Sequence, residues 1–220
     1  MRTSMKKAKT MLQYLFSDRQ RTNLLKQAES NLIHSLCERM PLWITPNRLT
    51  AIGLCGAGLV FLGLMLGRTH VALLLLSVFG LAVHWFGDSL DGRLAYHRNV
   101  PRKWYGFSLD IVVDWRSIFA IALGFCRYFS RHQLVAFIFV AAYGAAMIIS
   151  LLRYKIVDDY KIDSFHLGPT ELRILLAAVL LVEIVRPNTL LQFGIAGAVV
   201  LVLMDLFELK KLLRFADARD

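Results

Sequence analysis

Cysteine is scarce in this chain: Cys37, Cys55 and Cys126 are three in 220 residues, an odd number with no CxxC spacing. A disulfide framework is therefore not expected, whereas free and mostly structural thiols are. Internal repeats and low-complexity tracts are also missing, which sets aside solenoids and long flexible linkers. No cleavable leader is evident. The basic start "MRTSMKKAKTMLQYLF" carries only a short apolar run and no small-residue cleavage site follows it, so it is expected to remain on the mature protein. Formal charge is absent from three long stretches, Leu49–Leu66, Val71–Gly87 and Leu134–Leu152, when His84 is neutral. A bilayer crossing takes about 17 to 25 mostly apolar residues, and these three supply that length.

What the chain has in quantity is apolar surface: 56% of its residues are hydrophobic and its mean hydropathy is +0.51. Soluble domains use roughly 45 to 50%. Three further apolar segments are interrupted by charge. Gly106–Cys126 holds Asp110, Asp114 and Arg116; Glu171–Val185 includes Arg173 and Glu183; Thr189–Leu206 has Asp205 near its end. The last two are divided at Pro187 and Asn188, since proline cannot continue a helix and asparagine favours its ends. The expected architecture is an all-α polytopic membrane protein with six transmembrane helices in one domain. Residues 1–44 form an N-terminal cytoplasmic or interfacial segment, 45–209 the six-helix membrane domain and 210–220 a basic cytoplasmic tail. Leu25, Ala28, Leu32 and Leu36 recur at helical spacing and predict an amphipathic helix on the cytoplasmic membrane surface ahead of the first span. A helix packed on another part of the protein would show the same pattern. In "ITPNRLT", Thr45 is a cap and Pro46 suits the first turn, where no amide donor is needed.

Charge predicts the orientation. Of 26 Lys and Arg, 21 fall on one side: up to Arg48, between spans two and three, around the fourth-to-fifth connection, and in the tail. Arg68, Arg127, Arg131 and Arg186 fall on the other. By the positive-inside rule both termini and the Asp-rich loop face the cytoplasm. Trp43, Trp85, Trp104 and Trp115 lie near that boundary, where amphipathic rings commonly anchor. A net charge of +10 would suit nucleic acid, but the basic residues flank spans instead of lining one soluble face. Anionic lipid headgroups are the expected partner, and nucleic acid is not.

Against that background, "GDSLDGRLAYHRNVPRKWYGFSLDIVVD" places four aspartates in apolar surroundings. Asp88 and Asp91 are three residues apart and Asp110 and Asp114 four apart, so each pair shares a helix face. Facing one another, bare carboxylates repel and burial aggravates the conflict. A hard divalent cation resolves it. Carboxylate oxygens without cysteine or a close histidine pair favour magnesium, manganese or calcium over zinc. Magnesium usually keeps water and substrate phosphate in its shell, which points to a phosphate-bearing substrate. Gly92, Ala95 and Gly106 beside the aspartates leave room for a ligand, although close helix packing uses small residues equally well.

"DSLDGRLA" followed by "GFSLDIVVD" resembles the signature DxxDGxxAR, spacer, GxxxDxxxD of the CDP-alcohol phosphotransferase (phosphatidyltransferase) family. The matching residues are Asp88, Asp91, Gly92, Ala95, Gly106, Asp110 and Asp114, and "TPNRLT" is similar to the family's stretch before its first span. The resemblance implies transfer of a phosphate-linked group from a CDP-linked donor to an alcohol, releasing CMP. It implies two divalent ions, magnesium or manganese, at Asp88, Asp91, Asp110 and Asp114, with Asp114 also taking the proton of the attacking hydroxyl. It further implies Asn47, Gly92, Ala95 and Gly106 around the nucleotide, a pocket open to cytoplasm and lipid, and a homodimer. CDP-diacylglycerol is the preferred donor, ahead of a CDP-choline-like one. The family's arginine after the alanine is Tyr96 here, and the spacer to Gly106 is nine residues against the usual eight. On a continued helix Arg98 lies near the face of Asp91, which makes it the expected replacement in nucleotide binding.

Other readings account for less. An intramembrane prenyltransferase shares aspartates, magnesium and a diphosphate, but leaves the glycines unexplained. A cation transporter does not explain the clustering at one end. Tyr96 leaves open an inactive family member acting as a scaffold. Finally, Arg153, Lys155 and Arg173 lie at cytoplasmic span ends; either they are flanking positive charges, or some of them meet near the aspartates and bind a phosphate on the acceptor.

Overall fold

The computed structural model describes residues 25–157 and 169–219, and among these it contains helices and no strand. The basic start of the chain and the stretch holding Lys161 lie outside the described residues. The first helix, α1, spans Lys26–Arg39. Six longer ones follow: α2 Pro46–Gly67, α3 Leu74–His97, α4 Lys103–Tyr128, α5 Gln133–Val157, α6 Pro169–Val185 and α7 Thr189–Asp217. Four of the six are long and apolar enough to cross a membrane: α2, α3 with its preceding 3-10 turn Val71–Leu73, α5 and α7. The other two differ for separate reasons. Helix α4 carries the charges already noted, and α6, with 17 described residues that include Glu171, Arg173 and Glu183, is at the short end of the about 17 to 25 that a crossing takes.

Sequence and local structure agree closely at the start of α2. Thr45 caps it by accepting from the Arg48 amide at 3.3 Å, and Pro46 occupies the first turn. Helix α2 then lies against α3 almost backbone to backbone. A Cβ at Gly56 would come within 2.7 Å of His84 Cα, one at Gly80 within 2.7 Å of the Val60 amide nitrogen, and one at Gly87 would strike Gly53 N and Leu49 O. Ser77 on α3 also donates to the Val60 carbonyl at 2.9 Å. Small residues at this seam let two helices approach as lipid-embedded helices do. The consequence is positional, because Asn47 and Thr50 at the head of α2 are brought beside Asp88 and Asp91 at the end of α3.

Helix α4 lies on α2, with Gly124 seated against Phe61 and Leu64; α5 packs on α4 and α7, and α6 on α3. One core cluster, including Val60, Leu64, Leu74, Leu81, Val179 and Leu180, unites α2, α3 and α6. A second one joins α1 to the ends of α2 and α3 through Ile33, Cys37, Leu49, Leu90 and Leu94.

Helix α1 has the expected period but a different buried face. Glu29, Ile33 and Cys37 are buried, while Leu25, Ala28 and Leu32 are exposed. The face is one residue out of register because α1 docks on protein: Glu29 Oε1 accepts from Thr170 Oγ1 on α6 at 2.7 Å and from Trp85 Nε1 on α3 at 3.4 Å. Trp85, expected at the membrane boundary, thus packs beneath α1. Glu171 accepts from the Leu25 amide at 3.1 Å, which ties the start of α1 to α6. The Cys37 thiol is pushed up by burial, against the nearby Arg93 and Arg98, as suits a structural cysteine.

The charge in α6 has a structural use at its far end. Glu183, 3% exposed, accepts from Tyr128 Oη, Thr189 Oγ1 and the amides of Asn188 and Leu190 at 2.7 to 3.0 Å. It thereby caps α7 just beyond Pro187, where Asn188 takes a positive φ of 75°. Helix α7 does not stop near Leu206 but runs on through Asp217.

Candidate active site

Helix α3 ends in a way that shapes the site. Asn99 adopts a left-handed conformation with φ 57°, its amide bonds to the Tyr96 carbonyl, and the Val100 amide reaches back to the Ala95 carbonyl. This is a Schellman stop. The helix therefore does not continue past His97, and Arg98 does not stand on the face of Asp91 as the sequence suggested. Its guanidinium donates instead to the carbonyls of Ile44, Met40 and Pro41 at 2.5, 3.0 and 2.9 Å, clipping the segment between α1 and α2 to the end of α3.

The chain then turns back into α4, which faces α3 with Asp110 and Asp114. Carboxylate oxygens of Asp88, Asp110 and Asp114 lie within 4.8 Å of one another, close enough to share one metal ion. Asp91 is at the edge of this group, with Oδ2 accepting from Thr50 Oγ1 at 2.6 Å and Oδ1 from the Gly92 amide at 2.5 Å. A cation on α6 reaches the cluster: Arg173 Nη2 bonds Asp88 Oδ2 at 2.5 Å. Four carboxylates converging in a largely buried place repel one another. Such an all-oxygen, acidic donor set fits a hard divalent ion.

A cavity of about 800 Å³ opens over the carboxylates. Asn47, Gly92, Ala95, Gly106 and all four aspartates line it, as do Tyr96 and Arg173. A Cβ at Gly92 or Gly106 would meet nothing within 4 Å. These two glycines therefore face open space, and helix packing is not their reason for being small. Arg98, Arg153 and Lys155 are not among the lining residues. Arg153 pairs with Glu208 on α7 at 2.5 Å, and the Lys155 carbonyl accepts from Arg219. Of the three cations considered for an acceptor phosphate, Arg173 alone reaches the cavity wall.

Other residues of the site went unnoticed in the sequence. Arg102, just before α4, donates to Asn47 Oδ1 at 3.0 Å and lies 3.8 Å over the Tyr105 ring; Asn47 Nδ2 in turn donates to Tyr105 Oη at 3.2 Å. This trio forms one wall of the cavity. Thr50, His84 and Ser117 lie nearer the carboxylates. Spacing offered a signal for some of them: Thr50 is three residues after Asn47, His84 four before Asp88 and Ser117 three after Asp114. Nothing in the sequence singled out Arg102 from its basic neighbours.

Comparison with known proteins adds one match. No curated protein matches the chain, while the family model described as CDP-alcohol phosphatidyltransferase matches residues 43–206.

Proposed function

Because the chain belongs to the CDP-alcohol phosphatidyltransferase family, whose members transfer a phosphoalcohol group from a CDP-alcohol to an acceptor, we infer that it is an integral membrane phosphatidyltransferase using CDP-diacylglycerol. The observation that carries this reading is the meeting of Asp88, Asp110 and Asp114 at the floor of a cavity large enough for a nucleotide. Six membrane crossings are part of the proposal, with α4 and α6 completing the four apolar spans. The wide separation of Arg68, Arg127 and Arg186 from the basic residues around the cavity supports a site that faces the cytoplasm.

In this reading Asp88, Asp91, Asp110 and Asp114 hold two magnesium or manganese ions. These would neutralise the donor diphosphate and the departing CMP. The acceptor hydroxyl attacks the phosphorus that bears the diacylglycerol. A new bond forms between that phosphorus and the acceptor oxygen, the bond to the bridging oxygen breaks, and CMP leaves with the bridging oxygen. Asp114 takes the hydroxyl proton.

The chain's own residues supply the rest. Gly92 and Gly106 admit the donor close to the backbone, and Asn47 with Tyr105 forms the wall for the nucleotide. Arg102 supplies the cation for its phosphates, in the role that Arg98, held by three carbonyls, is not placed to take. Arg173 binds a phosphate on the acceptor from the side of Asp88. Association of two copies is proposed on the family resemblance.

Purified protein should be given CDP-diacylglycerol or CDP-choline, each with a panel of free and phosphorylated alcohols. CMP release with CDP-diacylglycerol and a phosphorylated alcohol supports the proposal. Release with CDP-choline and diacylglycerol instead would assign the other donor class. No release with any pair, while donor still binds, would favour a scaffold.

A further inference from the structure

His84 and Ser117 have no part in the chemistry described so far, yet they lie directly beneath it. His84 is one turn deeper along α3 than Asp88, and Ser117 one turn deeper along α4 than Asp114. They are 6% and 1% exposed. Among the described residues, His84 Nδ1 and Ser117 Oγ are buried without a hydrogen-bond partner. Both line a chamber of about 10 Å³ whose other walls include Asp88, Asp110 and Asp114. Buried polar atoms are nearly always paired, and two orphans on residues that line one chamber point to a shared occupant. A space of that size holds about one water.

We propose that His84 Nδ1 and Ser117 Oγ together bind one water molecule in the coordination shell of the divalent ion held by the aspartates. The inference rests on reading those aspartates as a metal site. A water on a cation turns its oxygen to the ion and has two hydrogens left to donate, and the chamber presents two acceptors with no other partner. An unprotonated Nδ1 and the lone pairs of a serine hydroxyl match that count. Magnesium, which dehydrates reluctantly and keeps several waters, suits such a floor. His84 and Ser117 are then positioning residues. They would touch neither substrate and would act on the ion only through the water, as outer partners do in other metal sites.

The test is manganese binding by the full-length purified protein, read by electron paramagnetic resonance, with exchangeable water protons counted by their hyperfine signal. Ser117→Ala and His84→Leu should each weaken manganese binding about 10-fold or more, the range seen when outer-shell partners are lost, and each should remove one water signal. Ser117→Thr, which keeps the hydroxyl, should retain both. Because the two side chains hold the same water, the double variant should bind no more weakly than the poorer single one. If His84→Leu fails to fold beside Gly56, the serine pair and its melting temperature carry the test alone. Wild-type affinity and water count in Ser117→Ala would overturn the proposal, as would two independent, multiplying losses in the double variant. Asp110→Asn separates the two readings: if it leaves manganese binding unchanged, the metal site itself is wrong. Loss of binding in Asp110→Asn with no effect in Ser117→Ala would remove the proposed water alone.

Discussion

Arg173 on α6 and Asp88 on α3 form an ion pair at 2.5 Å inside the cavity, with side chains only 16% and 22% exposed. This pair links a proposed acceptor-binding cation to a proposed metal ligand. Truncating one partner of a largely buried pair leaves the other charge uncompensated, at about 3–5 kcal/mol. Arg173→Ala should therefore lower the melting temperature, and added magnesium should restore more stability to it than it gives wild type. The same variant should lose any preference for a phosphorylated acceptor. Equal magnesium stabilisation in both proteins would count against a metal beside Asp88.

Gly87 and Gly92 provide a contrast within one helix. A Cβ at Gly87 meets the backbone of α2 at Gly53 and Leu49, which cannot yield as a flexible side chain would. Gly87→Ala should cost at least about 1–3 kcal/mol, the usual cost of overpacking, and be seen as a lower melting temperature in detergent. At Gly92 a Cβ meets nothing within 4 Å. Gly92→Ala should melt like wild type and raise the Michaelis constant for the CDP donor, since it narrows only the cavity.

Arg102 and Arg98 should also separate. Arg102→Ala should raise the donor Michaelis constant about 10-fold, equivalent to about 1.4 kcal/mol. Arg98→Ala should leave that constant unchanged and lower stability, because its guanidinium holds three carbonyls between Met40 and Ile44. A donor defect in Arg98→Ala with normal stability would restore it to the site.

Glu183 lies far from the carboxylates, and its prediction concerns folding. Four donors converge on its side chain. Glu183→Leu should cost several kcal/mol, since two backbone amides and two hydroxyls lose a charged acceptor at about 1.5–3 kcal/mol for each such bond. The measurement is thermal unfolding, with the activity of the folded fraction preserved.

Much of this could be read in the sequence because it is local or periodic. Thr45 and Pro46 announce the start of α2, and the i,i+3 and i,i+4 aspartates announce a shared face. The break at Pro187 and Asn188 likewise follows from backbone chemistry. The rest depends on tertiary partners or, at Arg98, on a local helix stop. Helical spacing fitted the apolar run from Leu25 to Leu36, but Glu29 turns inward because Thr170 and Trp85 wait there. A continued helix would put Arg98 on the face of Asp91, but Asn99 ends that helix. Arg153 at its span end pairs with Glu208 on α7, more than fifty residues away in sequence. Charge and period do not identify such partners; only the packed helices do.

The most direct test of the central claim is CMP release from CDP-diacylglycerol by the purified protein, measured with magnesium, with chelator, and in Asp114→Asn. CMP should form in step with the new phospholipid only when magnesium is present. Asp114→Asn should lower turnover by about 100- to 10,000-fold, as expected for a lost general base, while retaining part of the metal-dependent donor binding. Turnover that persists in chelator, or that is unchanged in Asp114→Asn, would contradict the account.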